Sequence, residues 1–163
     1  MAGLEAIVAV YGDWGIGADG TQPVTVSADR KHFRDLTMGA AVIVGRKTLA
    51  DFPGGKPLKG RVNIVLSRSA APVENAVMAR SAAEALARAA EYPRALCIGG
   101  ARVYKELFPH LTRIYVTKLD VCPHSDVFFP NLDDDPSWRI AERSEEREEN
   151  GIRYRFLTYE KTK

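Results

Sequence analysis

Short apolar runs alternating with stretches of helical pattern constrain this chain more than any other feature of it. Residues 6–11, 40–44, 62–66, 95–98 and 114–119 are rich in Val and Ile, as strands buried on both faces are. Between them, Ser27 precedes a helical pattern over 28–37. Ser81 precedes another over 82–91, with Glu84 at capping-box spacing. Residues 100–107 read as a third helix stopped by Pro109, and 46–51 as a short one stopped by Pro53. Because parallel strands need long crossovers, the alternation predicts an α/β fold with a largely parallel sheet. The C-terminal part breaks the rhythm: 138–147 and 152–160 flank Asn150-Gly151, a pair suited to positive φ. That predicts an antiparallel hairpin at the sheet edge and a mixed sheet.

Charge and composition exclude several classes. The formal charge is +2, from 23 Lys plus Arg against 21 Asp plus Glu, so no global field draws in nucleic acid. The apolar run at 6–11 is too short to span a bilayer, and residues 1–5 lack the basic start of a signal peptide. A cytoplasmic protein acting at no membrane is expected. Cys97 and Cys122 lack metal-ligand spacing and sit in or beside apolar segments, so both are expected to be structural and no metal is expected.

Two segments suit phosphates. Gly45-Arg46-Lys47-Thr48 follows one buried run and opens a helix, and Ile98-Gly99-Gly100-Ala101-Arg102 repeats the arrangement. Each places free backbone N–H groups at a helix start. Together they could hold the two ends of a dinucleotide, and Arg68, after Leu66-Ser67, adds charge for a further phosphate. That favours NADPH over NADH. Gly55-Lys56-Pro57 lacks the rest of a P-loop, and Gly12, Gly15 and Gly17 are misspaced for a Rossmann fingerprint. Asp29 opens the 28–37 helix with Phe33 one turn on. A carboxylate there complements the helix dipole in the plain reading. In the functional one it accepts paired N–H donors from a heterocycle in an apolar pocket.

Trp14-Gly15-Ile16-Gly17, Asp29, Arg61, the two glycine turns, Thr117 and Phe128-Phe129-Pro130 stand in an order and spacing similar to those of the dihydrofolate reductase family, from Ala6 to about Tyr159. The resemblance implies one domain over 1–163, with about 40–92 an adenosine-binding subdomain. It also implies a three-layer fold with an eight-stranded, mostly parallel sheet and about four helices. The implied activity is NADPH-dependent reduction of dihydrofolate to tetrahydrofolate, feeding one-carbon metabolism, in a monomer that also binds antifolates. Carried over by position, Asp29 and Thr117 become the catalytic pair. Ile7, Val8, Phe33, Phe52, Leu58, Ile98 and Tyr104 line the substrate, and Arg61 meets its α-carboxylate. Gly45, Arg46, Lys47, Thr48, Leu66, Ser67, Arg68, Ile98, Gly99, Gly100, Ala101, Arg102, Val103 and Tyr104 serve NADPH, with Ala9, Ile16 and Gly17 beside its nicotinamide. The Gly99–Gly100 peptide is expected to be cis.

The chain departs from the family pattern in one loop. Gln22 and Val24 stand where an apolar residue and a tryptophan are usual, Ser27 follows Val26, and Arg30 follows the acid. Trp14 is out of register to replace the missing ring. A pyrimidine reductase of riboflavin synthesis shares the fold and cofactor, although Asp29, Phe33 and Arg61 together speak against it. A silent NADPH-binding module is the other alternative. His32, His110 and His124 are scattered without ligand spacing, and the acidic run 145–149 reads as a solvated edge.

Overall fold

The computed structural model describes residues 3–18, 22–69 and 71–162. Its elements run β1 (Leu4–Tyr11), β2 (Gly15–Gly17), α1 (Ser27–Thr37), β3 (Ala41–Gly45), α2 (Arg46–Ala50), β4 (Val62–Leu66), β5 (Val77–Ala79) and α3 (Ala82–Ala89). Then come β6 (Ala95–Gly99), α4 (Ala101–Leu107), β7 (Leu111–Leu119), β8 (Val127–Phe128), β9 (Trp138–Arg143), β10 (Arg147–Glu149) and β11 (Ile152–Lys161). The apolar runs form β1, β3, β4, β6 and β7 as expected. β3 and β6 are buried at every residue, as central strands covered on both sides must be. β2, β5 and β8 are two or three residues long, too short to leave a pattern in the sequence.

The main sheet has the order β10-β11-β7-β1-β6-β3-β4-β5, with β9 also on β11. Every pairing from β7 to β5 is parallel, and β11 runs antiparallel to β7. The expected second arm at 138–147 is broken into β9 and β10, which pair with opposite halves of β11. Ser144 sits in the gap. Its N–H donates to Phe156 O, and its Oγ accepts from Phe156 N, both at 2.9 Å. Nine strands thus occupy eight positions.

Alternating side chains divide the core into two faces. On β1, Ala6, Val8 and Val10 meet Val103, Tyr104 and Leu107 of α4 and Ala85 and Ala89 of α3 in one cluster. Ile7 points the other way, into a cluster with Leu49 of α2 and Phe33 and Leu36 of α1. The result is the expected three layers.

Two local expectations need correction. Ser27 is the first residue of α1 rather than its cap: Val26 holds that position and has no side-chain cap. Instead Glu149 of β10 reaches across, accepting from Ser27 N at 2.6 Å, Ser27 Oγ at 2.8 Å and Ala28 N at 3.2 Å. The acidic edge is therefore not merely solvated at Glu149, which closes the start of α1. Of the cysteines, Cys97 is buried and its thiol is pushed up to about 12 by desolvation, whereas Cys122 is exposed. It follows the end of β7, outside the packed run.

Candidate active site

The first turn of α1 lies at the carboxyl ends of β1 and β7, because Val26 and Ala28 pack in one cluster with Tyr11, Leu119 and Tyr154. That seat aims Asp29 at β7, where Thr117 Oγ1 donates to Asp29 Oδ1 at 2.6 Å. Thr117 is itself buried and pairs in register with Ala9 of β1 and Phe156 of β11. Burial pushes the Asp29 carboxyl above the usual carboxylate range, with Thr117, His32 and Arg30 pulling part of the way back. One turn along, His32 stacks on Phe156 with centroids 4.0 Å apart, and desolvation lowers its pKa. Since Phe156 faces Thr117 across the strands, His32 stands beside the acid.

Phe33, one turn along α1 from Asp29, packs with Phe52, Leu58, Ile7 and Ile98 in one apolar cluster. Val8, expected beside them, points to the opposite face, because neighbouring residues of a strand alternate. Tyr104 also belongs to that opposite face, but its hydroxyl donates to Ile7 O at 2.6 Å. Arg61 is held beyond Phe33: its Nη1 donates to Thr37 Oγ1 at 3.1 Å and its Nε to Lys59 O at 2.9 Å.

The two glycine turns follow adjacent strands, β3 and β6, and they touch. A Cβ on Gly45 would lie 3.0 Å from Val103 Cγ2 and 3.7 Å from Gly100 N. A Cβ on Gly100 would come within 2.9 Å of Thr48 Oγ1. Gly99 sits at φ 117°, a conformation suited to glycine, and the Gly99–Gly100 peptide is cis. The glycines thereby keep open a backbone-lined cradle at the carboxyl ends of the parallel strands, where open α/β sheets take ligands. Ala101 and Arg102 begin α4. Arg46 and Lys47 are exposed beside the cradle. The turn after β4 completes the row: Leu66 is buried, Ser67 N donates to Ala79 O at 2.9 Å, and Arg68 pairs with Glu106 of α4 at 3.2 Å. This donor set of backbone amides, hydroxyls and cations fits a phosphate-bearing dinucleotide. At the other end, Ile16 packs on the core, Gly17 O accepts from Asp126 N at 2.9 Å, and Ala9 O accepts from Gln22 Nε2 at 2.7 Å.

Sequence reasoning missed three neighbours of these groups. Arg80 Nη1 donates to Ser67 O at 3.2 Å, but a lone Arg between a two-turn helix cap and a three-residue strand gives no signal. Gln22 stood out only as a departure. His32 has no partner at recognisable spacing in the sequence, because its stacking partner Phe156 lies on the last strand.

A family profile described as dihydrofolate reductase matches residues 3–161. Among curated relatives, the dihydrofolate reductase of Neisseria meningitidis serogroup B is 38% identical over 161 residues, covering 98% of each chain. That of Mycobacterium tuberculosis is 37% identical over 153 residues, covering 90% of this chain and 91% of its own. A solved structure of Enterococcus faecalis dihydrofolate reductase, complexed with NADP(H) and RAB-propyl, superposes with a TM-score of 0.88 at 28% identity, covering 98% of this chain and 96% of that one. With an acid seated on a threonine beside an apolar wall and a glycine cradle alongside, the chain belongs to the dihydrofolate reductase family.

Proposed function

We propose that this site carries out the NADPH-dependent reduction of dihydrofolate to tetrahydrofolate, with Asp29 as the acid that binds the pterin. The observation that carries the residue assignment is the 2.6 Å Thr117–Asp29 hydrogen bond at the edge of the Ile7, Phe33 and Ile98 cluster. Thr117 occupies one lone pair of the carboxylate and fixes its plane. The remaining oxygen faces N–H donors on the pterin edge, and Phe33 packs on the ring. Asp29's negative charge then favours the protonated form of the pterin. Arg61, oriented by Thr37 and Lys59, takes the substrate's α-carboxylate.

The cradle would hold NADPH. The turn after β6 and Thr48 meet its pyrophosphate, and Arg46, Ser67 and Arg68 meet the 2′-phosphate, with 40–92 as the adenosine-binding part. Bound there, the cofactor supplies the hydride. Ala9, Ile16 and Gly17 set the depth at which its ring lies against the substrate, since orientation rather than new covalent chemistry is the protein's main contribution. Loss of NADPH absorbance on adding dihydrofolate tests the reaction. Turnover of a ribosylaminopyrimidine instead, or of neither substrate, would sink it.

A further inference from the structure

We propose that Glu106 of α4 is a positioning residue that limits the preference for NADPH over NADH, by holding Arg68 in an ion pair that a 2′-phosphate must break. This rests on the NADPH reading above. Glu106 Oε1 accepts from Arg68 Nη2 at 3.2 Å and lies 3.9 Å from Arg102 Nε, one turn back on the same helix. A single carboxylate thus engages two arginines that flank the cradle, one on the turn after β4 and one at the start of α4.

The Arg68–Glu106 pair is a strap across the cradle. β3 lies between β6 and β4 in the sheet, so a link from the helix after β6 to the turn after β4 spans the Gly45 turn between them. A dinucleotide with its pyrophosphate at the Gly99–Gly100 turn and its 2′-phosphate at Arg68 spans the same interval. The phosphate and Glu106 then compete for one guanidinium, since both are anions that make charge-assisted bonds to the same N–H groups. NADH has a hydroxyl in place of that phosphate. It brings no charge to draw Arg68 away, so the pair survives when NADH binds.

The two partners are unequally exposed. The side chain of Arg68 is 65% exposed and that of Glu106 only 26%, so the carboxylate is the seated member and the long arginine is the one free to move. Arg46 is the contrast: it is exposed beside the cradle and makes no ion pair among the described residues. It meets a phosphate without leaving a partner. Discrimination between the cofactors therefore falls short of what two unengaged arginines supply, by the strength of the Arg68–Glu106 pair. For a partly exposed pair that is a factor of about two to five.

The test measures Kd for NADPH and for NADH by fluorescence titration in the wild type, Glu106→Gln, Arg68→Ala and the double variant, with thermal melting as the control for folding. Glu106→Gln is expected to bind NADPH roughly two- to fivefold more tightly than the wild type, with NADH unchanged. In the Arg68→Ala background the same substitution should change neither Kd, because its effect runs through the guanidinium. An NADPH Kd that Glu106→Gln leaves unchanged or raises would overturn the proposal, as would an equal gain for both cofactors. A gain for NADPH that persists without Arg68 would overturn it too, since Glu106 would then act by repelling the phosphate directly. Failure of the underlying reading is separately visible, because NADPH would then not bind the wild type.

Discussion

Asp29 is the residue at which function and stability pull apart. Its pKa is raised in the folded protein, so the native state holds this proton more tightly than the unfolded chain does. Its contribution to stability falls as pH climbs from the ordinary aspartate value through the raised one, and above that interval the ionised carboxylate weighs against folding. Asp29→Asn keeps an oxygen for the Thr117 hydroxyl and removes the charge. The ligand-free variant should melt at a higher temperature than the wild type at neutral pH and lose most dihydrofolate reduction. A lower melting temperature would show that the carboxylate is structural. The cations differ in how free they are. Arg46 is exposed beside the cradle, while Arg68 must leave Glu106 to meet a phosphate. Arg46→Ala and Arg68→Ala should each weaken NADPH more than NADH in paired fluorescence titrations, with the larger loss at Arg46, since the phosphate gain at Arg68 is offset by its broken pair. Equal losses for the two cofactors would remove these residues from the 2′-phosphate.

At the scale of elements, the start of α1 depends on a residue 122 positions away in the chain. Glu149 accepts from two backbone N–H groups and the Ser27 hydroxyl, and these bonds, Ser27's first, hold its carboxyl below the usual range. A depressed carboxylate contributes stability above its unfolded pKa and loses it as pH falls through the folded value. Glu149→Gln should therefore lower the melting temperature at neutral pH and match the wild type in strong acid, where both side chains are neutral. Since α1 carries Asp29 and Phe33, the same variant should raise KM for dihydrofolate without changing the affinity for NADPH. An unchanged melting temperature at neutral pH would mean the first turn holds without this cap.

Across the molecule, the last strand closes both faces of the core. β11 lies between β7 and the β9 and β10 pair, with Leu157 and Tyr159 buried in one cluster and Tyr154 in another. Tyr159 also donates to Asp133 Oδ1 at 2.7 Å. Fully burying a large apolar side chain is worth about 1.5–3 kcal/mol, so losing three removes about 5–9 kcal/mol, comparable to the whole stability of a typical domain at about 5–15 kcal/mol. A chain ending at Gly151 should therefore show no cooperative thermal transition. A cooperative melt of the truncated chain would place the folding core in the parallel strands alone.

What the sequence by itself determined is what local pattern encodes. Unbroken Val and Ile runs could only be covered strands, and the glycines of 45 and 99–100 stand where backbone must come close to backbone. Asp29 was visible as an acid one turn before an aromatic, and a carboxylate expected in an apolar pocket is one whose pKa burial should raise, as it does here. Long-range contacts decided the rest. Thr117 reaches Asp29 across 88 positions and Glu149 caps α1 across 122. Arg80 joins Ser67 through a three-residue strand, and Ser144 breaks the final hairpin by bonding Phe156. Periodicity reports which face of an element is apolar, because that is a property of neighbouring residues. It is silent on which distant polar group will satisfy a helix end or a buried acid, because those partners meet only when the sheet has brought its strands into register.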